Sequence, residues 1–191
     1  MLILASHSPR RKELLSMLGL TFTAEDSAVD EVALRRSLPA DVSPEELVEA
    51  LALAKARAVA SRHPGDEILA ADTVVVLAGR IYGKPKNKAE AARFLHELAG
   101  HTHTVVSGVA VLRGKQEKVF HVESQVEFYS LDATMETLIS DYAEGGSSLD
   151  KAGAYGIQDA GALLIRGIQG DFYNVMGLPL AEVWRALQAF G

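Results

Sequence analysis

The sequence predicts an α/β fold with a mixed sheet, on three observations. Leu2-Ile3-Leu4-Ala5 and Ile68 to Leu77 are apolar runs, the second broken only by Asp72 and Thr73, as in a strand covered on both faces. Helix starts are marked by capping residues, above all the capping box Ser43-Pro44-Glu45-Glu46. Thr102 to Leu112 and Lys118 to Leu131 are β-rich and joined at Arg113-Gly114-Lys115, a hairpin signal foreign to a purely parallel sheet. A chain of 191 residues, 48% of them hydrophobic, can bury a proper core as a single domain spanning 1–191, with room for two lobes.

Taken in order, Leu2 to Ala5 is a short buried strand. Ser8 caps a first helix with Pro9 at its first position, where a missing N–H costs nothing, and Gly19 closes it. Phe22 opens a second extended piece, and residues 24–43 read as polar and irregular, Asp26, Asp30 and Glu31 among them. The helix from Ser43-Pro44 runs to about Ser61 with Leu47, Leu51, Ala54 and Ala58 on one face. Glu67 to Leu77 is a strand that turns at Gly79-Arg80 into Ile81-Tyr82. Asn87 caps a helix that ends near Ala99 with Gly100 after it. Beyond the hairpin, Asp132 caps a helix with Met135, Leu138, Ile139 and Tyr142 inward, and a Gly-rich loop fills 145–156. Ala162 to Ile168 reads as a strand. Pro179 to Phe190 reads as a closing helix with Leu180, Val183, Trp184 and Leu187 inside.

Composition narrows the function. Without cysteine there is no disulfide, thiolate nucleophile or zinc–cysteine site. A net charge of −6 argues against a nucleic-acid polymer as partner, since phosphate-backbone affinity needs accumulated Lys and Arg. No apolar run spans a bilayer and Met1 leads straight into a strand, so no membrane and a cytoplasmic location are expected. Neither G-x-G-x-x-G after a strand nor a P-loop is present. His101-Thr102-His103 would alternate along a strand; with no further ligand at metal spacing, sheet surface is the expectation.

The charges that matter are local. Arg10, Arg11 and Lys12 crowd the first turn of a helix whose dipole already makes that end positive. Either they are solvated, or an anion such as phosphate joins them, with Ser6 and Ser8 as hydrogen-bonding groups; the S-x-S-P-R-R pattern favours the phosphate site. Asp72 interrupts an apolar strand, where an unpaired carboxylate is costly, so it needs a cation, a metal, a cleft or backbone N–H partners. Asp30 and Glu31, as adjacent loop acids, are solvated on position alone, and Lys55 is an ordinary helix-surface lysine. Lys84 is more defined, because Gly83 and Pro85 fix its backbone. Residues 145–156 are a flexible surface loop on composition alone.

Ser6-His7-Ser8-Pro9-Arg10-Arg11-Lys12-Glu13-Leu14-Leu15 resembles the opening motif of the Maf family of nucleoside triphosphate pyrophosphatases. Asp30-Glu31, Lys55-Ala56, Ala71-Asp72-Thr73, Gly83-Lys84-Pro85, Asp150 to Gln158 and Val175-Met176-Gly177-Leu178-Pro179-Leu180 follow in the family's order, so the resemblance covers nearly the whole chain. It implies an elongated mixed sheet flanked by helices, two lobes with a deep cleft, and a homodimer. It implies that Asp72 is the catalytic base and that Glu31 and Asp72 hold a divalent metal, Mg²⁺ or Mn²⁺. Ser6, Ser8, Arg11, Lys55 and Lys84 would face the phosphates. Arg10, Thr73 and Gln158 match the base-pocket positions, and that combination resembles the branch acting on dTTP and UTP rather than the one acting on 7-methyl-GTP. Gln158 brings both a donor and an acceptor, which suits a uracil or thymine edge. The expected reaction is attack of water at the α-phosphorus, giving monophosphate and pyrophosphate. Alternatives are a housecleaning hydrolase of 7-methyl-GTP or inosine-triphosphate type, and a non-catalytic nucleotide-binding regulator, since the family is associated with cell-division arrest.

Overall fold

The computed structural model describes residues 1–190. Seven strands form one mixed sheet: β1 (Leu2–Ala5), β2 (Phe22–Glu25), β3 (Glu67–Leu77), β4 (Arg80–Tyr82), β5 (Thr102–Arg113), β6 (Gln116–Phe128) and β7 (Ile165–Gln169). Their order is β2-β1-β3-β5-β6-β7, with β4 pairing β3. β1 runs parallel to β2 and β3, whereas β3–β4 and β6–β7 are antiparallel. The helices are α1 (Pro9–Ser16), α2 (Glu31–Ser37), α3 (Pro44–Ala60), α4 (Lys88–Leu98), α5 (Ala133–Gly145), α6 (Phe172–Met176) and α7 (Leu180–Gln188). The expected mixed α/β class is therefore what the chain adopts.

The chain divides into two compact units. The first takes Met1–Thr73, Val106–Val122 and the residues from Gly177 on; the second takes Val74–Val105 and Glu123–Met176.

In the first unit, Ile3 and Ala5 of β1, Ile68 and Ala70 of β3, and Ala110 and Leu112 of β5 pack with Ala52, Ala56 and Val59 of α3. The alanines let the helix lie close to the strands. At Gly108 the approach is closest: a Cβ there would stand 2.3 Å from the carbonyl carbon of Val48, so only glycine fits. This contact fixes the depth of α3, the helix that carries Lys55.

In the second unit, Leu95 and Leu98 of α4 and Ile139 and Tyr142 of α5 pack with Val105, Phe128 and Tyr155. Phe128 and Tyr155 meet edge to face with ring centroids 4.8 Å apart, and His103 stands edge-on to both. The β3–β4 turn has positive φ at both Ala78 and Gly79, the two-residue geometry that matches strand twist.

Several expectations need correction. Residues 24–43 are not wholly irregular, because Asp30 caps α2 by accepting from the Ala33 N–H at 2.9 Å. The inner face of α3 is Leu47, Val48, Leu51, Ala52, Lys55, Ala56 and Val59, so Ala54 and Ala58 stand outside it and Lys55 stands on it. Residues 160–164 form a 3₁₀ turn before β7, where a strand from Ala162 was expected. Its N-cap Asp159 accepts from the Gly161 N–H, which favours the turn. On α7 the inward residues are Leu180, Val183, Ala186 and Leu187, whereas Trp184 is 48% exposed. His103 is not sheet surface: it is buried and hydrogen-bonded through Nε2 to the Tyr155 hydroxyl at 2.8 Å. Gly19, with φ +67, follows α1 two residues after its cap at Met17 instead of closing it directly. Residues 151 and 153–157 are buried, so the second half of the Gly-rich stretch is packed structure, while Gly145, Ser147 and Asp150 in its first half are exposed.

Candidate functional site

Within the first unit the basic helix terminus forms as expected. Ser8 caps α1 with Pro9 behind it, its Oγ accepting from the Arg11 N–H at 3.4 Å, and the first turn holds no acid. The Oγ of Ser6 accepts from the Ser8 N–H at 3.1 Å, which curls the chain between β1 and α1. Both hydroxyls keep an O–H to donate, as an anion requires.

Arg11 is held from two sides. Its Nε donates to the Gly177 carbonyl at 2.9 Å and its Nη2 to the Thr73 Oγ1 at 3.0 Å. Thr73 is in turn hydrogen-bonded to the buried Ser107 hydroxyl at 2.8 Å. Burial pulls the Arg11 pKa below the usual guanidinium value, and the Asp72 carboxylate opposes that shift. The guanidinium remains cationic, so it is a partly desolvated charge whose Nη1 has no protein partner among the described residues. Such a fork is suited to an incoming anion. Thr73 thus orients Arg11, a role its assignment to the base pocket did not foresee.

A second cluster centres on Lys55. Its Nζ lies 2.5 Å from Asp72 Oδ1 and 2.7 Å from Glu31 Oε1. Lys55 is 7% exposed, and the side chain of Asp72 is 13% exposed against 53% for Glu31. The ammonium therefore gives Asp72 the cation that its place in β3 demands, while Glu31, at the first position of α2, reaches in from solvent. Among the described residues no group of three or more His, Asp or Glu side chains could hold a metal ion. A pair of carboxylates nevertheless suits a hard divalent cation that takes its remaining oxygens from water and substrate phosphates. The structure thus brings Glu31, Lys55 and Asp72 together, and separately Ser6, Ser8, Arg11 and Thr73.

Arg10 is half-buried on the first turn of α1. Lys84 and Gln158 belong to the second unit, and both are exposed. Lys84 precedes the buried Pro85. Gln158 follows the buried run Gly153 to Ile157.

Three contacts lie outside the roles read from the sequence. Gly177 was visible within Val-Met-Gly-Leu-Pro, and its φ of +109 explains the glycine, but nothing local told that its carbonyl takes Arg11. Ser107 is a buried hydroxyl within the apolar part of β5, where a polar side chain needs a partner. Lys151, only 8% exposed, meets Asp150 at 2.9 Å and Asp159 at 3.2 Å.

A mixed α/β protein with a basic helix terminus and a lysine-clamped carboxylate pair is equipped for a phosphorylated small molecule. The chain belongs to the Maf family: the family's model, described as Maf-like protein, matches residues 1–190. It is 50% identical over 190 residues to the dTTP/UTP pyrophosphatase of Symbiobacterium thermophilum, covering 100% of this chain and 94% of that one. It is 52% identical over 192 residues to the dTTP/UTP pyrophosphatase of Moorella thermoacetica, covering 100% and 95%. Among solved structures, a HAM1 protein from Coxiella burnetii matches 98% of both chains with a TM-score of 0.51 at 17% identity, a likeness of fold.

Proposed function

We propose that this protein hydrolyses dTTP and UTP to the monophosphate and pyrophosphate. The observation that carries the chemistry is the desolvated Asp72 carboxylate held on the Lys55 ammonium at 2.5 Å. That carboxylate accepts a proton from the attacking water as the water oxygen bonds to the α-phosphorus. The bond from that phosphorus to the bridging oxygen breaks, and pyrophosphate leaves. Arg11, Lys55 and Lys84 neutralise the charge that builds on the phosphate oxygens, with Ser6 and Ser8 donating hydroxyl hydrogen bonds. Glu31 and Asp72 would hold a divalent cation, Mg²⁺ or Mn²⁺, whose bound form supplies further neutralisation of the triphosphate.

The base assignment rests on the two relatives named above and on Gln158, whose amide matches an edge carrying both acceptors and a donor. Arg10 and Thr73 complete that set, Thr73 through its hold on Arg11. The reading also implies a cytoplasmic enzyme acting as a homodimer, which sedimentation tests by a species heavier than the 20.5 kDa chain. No helix among the described residues is long and apolar enough to cross a membrane. Pyrophosphate release measured across the common nucleoside triphosphates, ITP and 7-methyl-GTP tests the whole reading. Highest kcat/KM on dTTP and UTP is expected, and a clear preference for 7-methyl-GTP or ITP overturns the base assignment.

A further inference from the structure

The exposed Gln158 sits at the tip of a stapled loop. The Tyr142 hydroxyl donates to Asp159 Oδ1 at 2.8 Å and accepts from the Gly156 N–H at 3.0 Å. The same Oδ1 accepts from the Gly161 N–H at 2.9 Å. One hydroxyl and one carboxylate therefore tie the backbone before and after residue 158 to α5. The other carboxylate oxygen of Asp159 lies 3.2 Å from the Lys151 ammonium, which also donates to the Ser147 carbonyl and to Asp150.

The glycines show how tightly this is built. A Cβ on Gly156 would stand 2.6 Å from Lys151 Cε and 2.8 Å from Asp159 Oδ2. One on Gly161 would stand 2.6 Å from the Gly156 carbonyl oxygen. No side chain larger than hydrogen fits at either place without moving the staple. Burial pushes the Tyr142 hydroxyl pKa upward, with the bond to Asp159 adding to the shift, so the phenol stays protonated as donor.

We infer that Tyr142 and Asp159 are specificity-positioning residues: they hold residues 156–161 rigid so that Gln158 presents its amide to the pyrimidine edge in one orientation. The inference rests on the proposed pyrimidine reading of Gln158. A long polar side chain on a loose loop hydrogen-bonds many partners, and discrimination between bases requires that wrong pairings stay unmet. Holding the backbone on both flanks removes the freedom that would otherwise satisfy a mismatched edge.

The test is a double-mutant cycle on discrimination, measured as the ratio of kcat/KM for UTP to that for CTP and for GTP. Tyr142→Phe keeps the ring and removes the two hydrogen bonds of the hydroxyl, to Asp159 and from Gly156, while leaving the Gly161–Asp159 bond. It is expected to lower the ratio roughly 3- to 10-fold, the scale of one net hydrogen bond, mainly through KM for UTP. In a Gln158→Ala background the same change should leave the ratio where Gln158→Ala alone puts it, because the effect passes through Gln158. Asp159→Asn, which keeps an oxygen acceptor for Gly161 and Tyr142, should retain more of the ratio than Asp159→Ala. Should Tyr142→Phe fail to fold, this Asp159 pair carries the test. An unchanged UTP ratio in folded Tyr142→Phe, or an equal further loss in the Gln158→Ala background, overturns the inference. A wild-type protein that does not prefer pyrimidines overturns the reading beneath it instead, and that is visible before any variant is made.

Discussion

Two lysines are buried to nearly the same degree, Lys55 at 7% and Lys151 at 8% exposure, and each faces two carboxylates. Their surroundings differ. Lys151 takes its partners from its own neighbourhood, the Ser147 carbonyl, Asp150 and Asp159, so its donors are spent on closing one stretch of chain. Lys55 lies on α3 and gathers Glu31 from α2 and Asp72 from β3, two acids from separate elements remote from it in sequence. Local ion pairing of the first kind fixes a loop. Pairing of the second kind concentrates charge at one point at the cost of desolvation, the feature on which the proposed catalytic role of the Lys55 cluster rests.

The sharpest way to break that contrast is Asp72→Asn. The amide keeps the shape and a hydrogen-bond acceptor for Lys55 but cannot take a proton from water. Loss of about 10²–10⁴-fold in pyrophosphate release is expected, with folding retained by circular dichroism. Near-normal release from the folded variant refutes the assignment of Asp72 as base.

Lys55→Met and Lys151→Met then separate the two lysines. The first should cost roughly 10²-fold in kcat, the scale of removing one charge-stabilising group from a site. The second should cost mainly stability, about 2 kcal/mol or roughly 4–8 °C in Tm, while the folded fraction still turns over UTP. Equal profiles in both assays would erase the distinction.

What the sequence disclosed was local. Ser8, Ser43, Asn87 and Asp132 all cap helices through their own side chains, because a cap needs only residues within one turn. The helix α2 was missed for the opposite reason: Asp30-Glu31 resembles solvated acid until the Ala33 N–H is seen on Asp30. Lys55 was misplaced by a one-residue error in the face of α3, since alanines at 52, 54, 56 and 58 leave the periodicity ambiguous and Gly108 settles it from another strand. His103 and Ser107 are buried polar residues of β5 whose partners, Tyr155 and Thr73, lie far off in sequence. The motif residues Arg11, Lys55 and Asp72 were legible by family pattern. Their mutual geometry was not, because it depends on how α3 and β3 pack.

A smaller effect distinguishes the cations of α1. Arg11, fixed by Gly177 and Thr73, should lose about tenfold or more in kcat/KM when changed to alanine, as expected for a charge-assisted phosphate contact. Lys84→Ala should act in the same direction. Lys12→Ala should change little. Equal losses at Arg11 and Lys12 would show that the helix terminus acts only as diffuse positive charge.

The smallest effect is on stability and belongs to the second unit. His103 is buried against Phe128 and Tyr155, and desolvation holds its pKa down to about 3 from 6.5. The folded protein therefore keeps the imidazole neutral where the unfolded chain protonates it. Above pH 6.5 the two states bind the same protons and His103 adds no pH dependence. As pH falls below 6.5 the unfolded state gains a proton that the folded state refuses, and stability drops until the folded pKa near 3 is passed. One unit below the unfolded value the loss is about 1.4 kcal/mol from this residue alone. Urea denaturation at pH 7.5 and pH 5.5 measures it. His103→Gln should start less stable at pH 7.5, through its altered packing, yet lose less between the two pH values than the unaltered protein. If both proteins lose the same amount over that interval, His103 does not exclude the proton and the buried aromatic cluster is more open to water than its geometry implies.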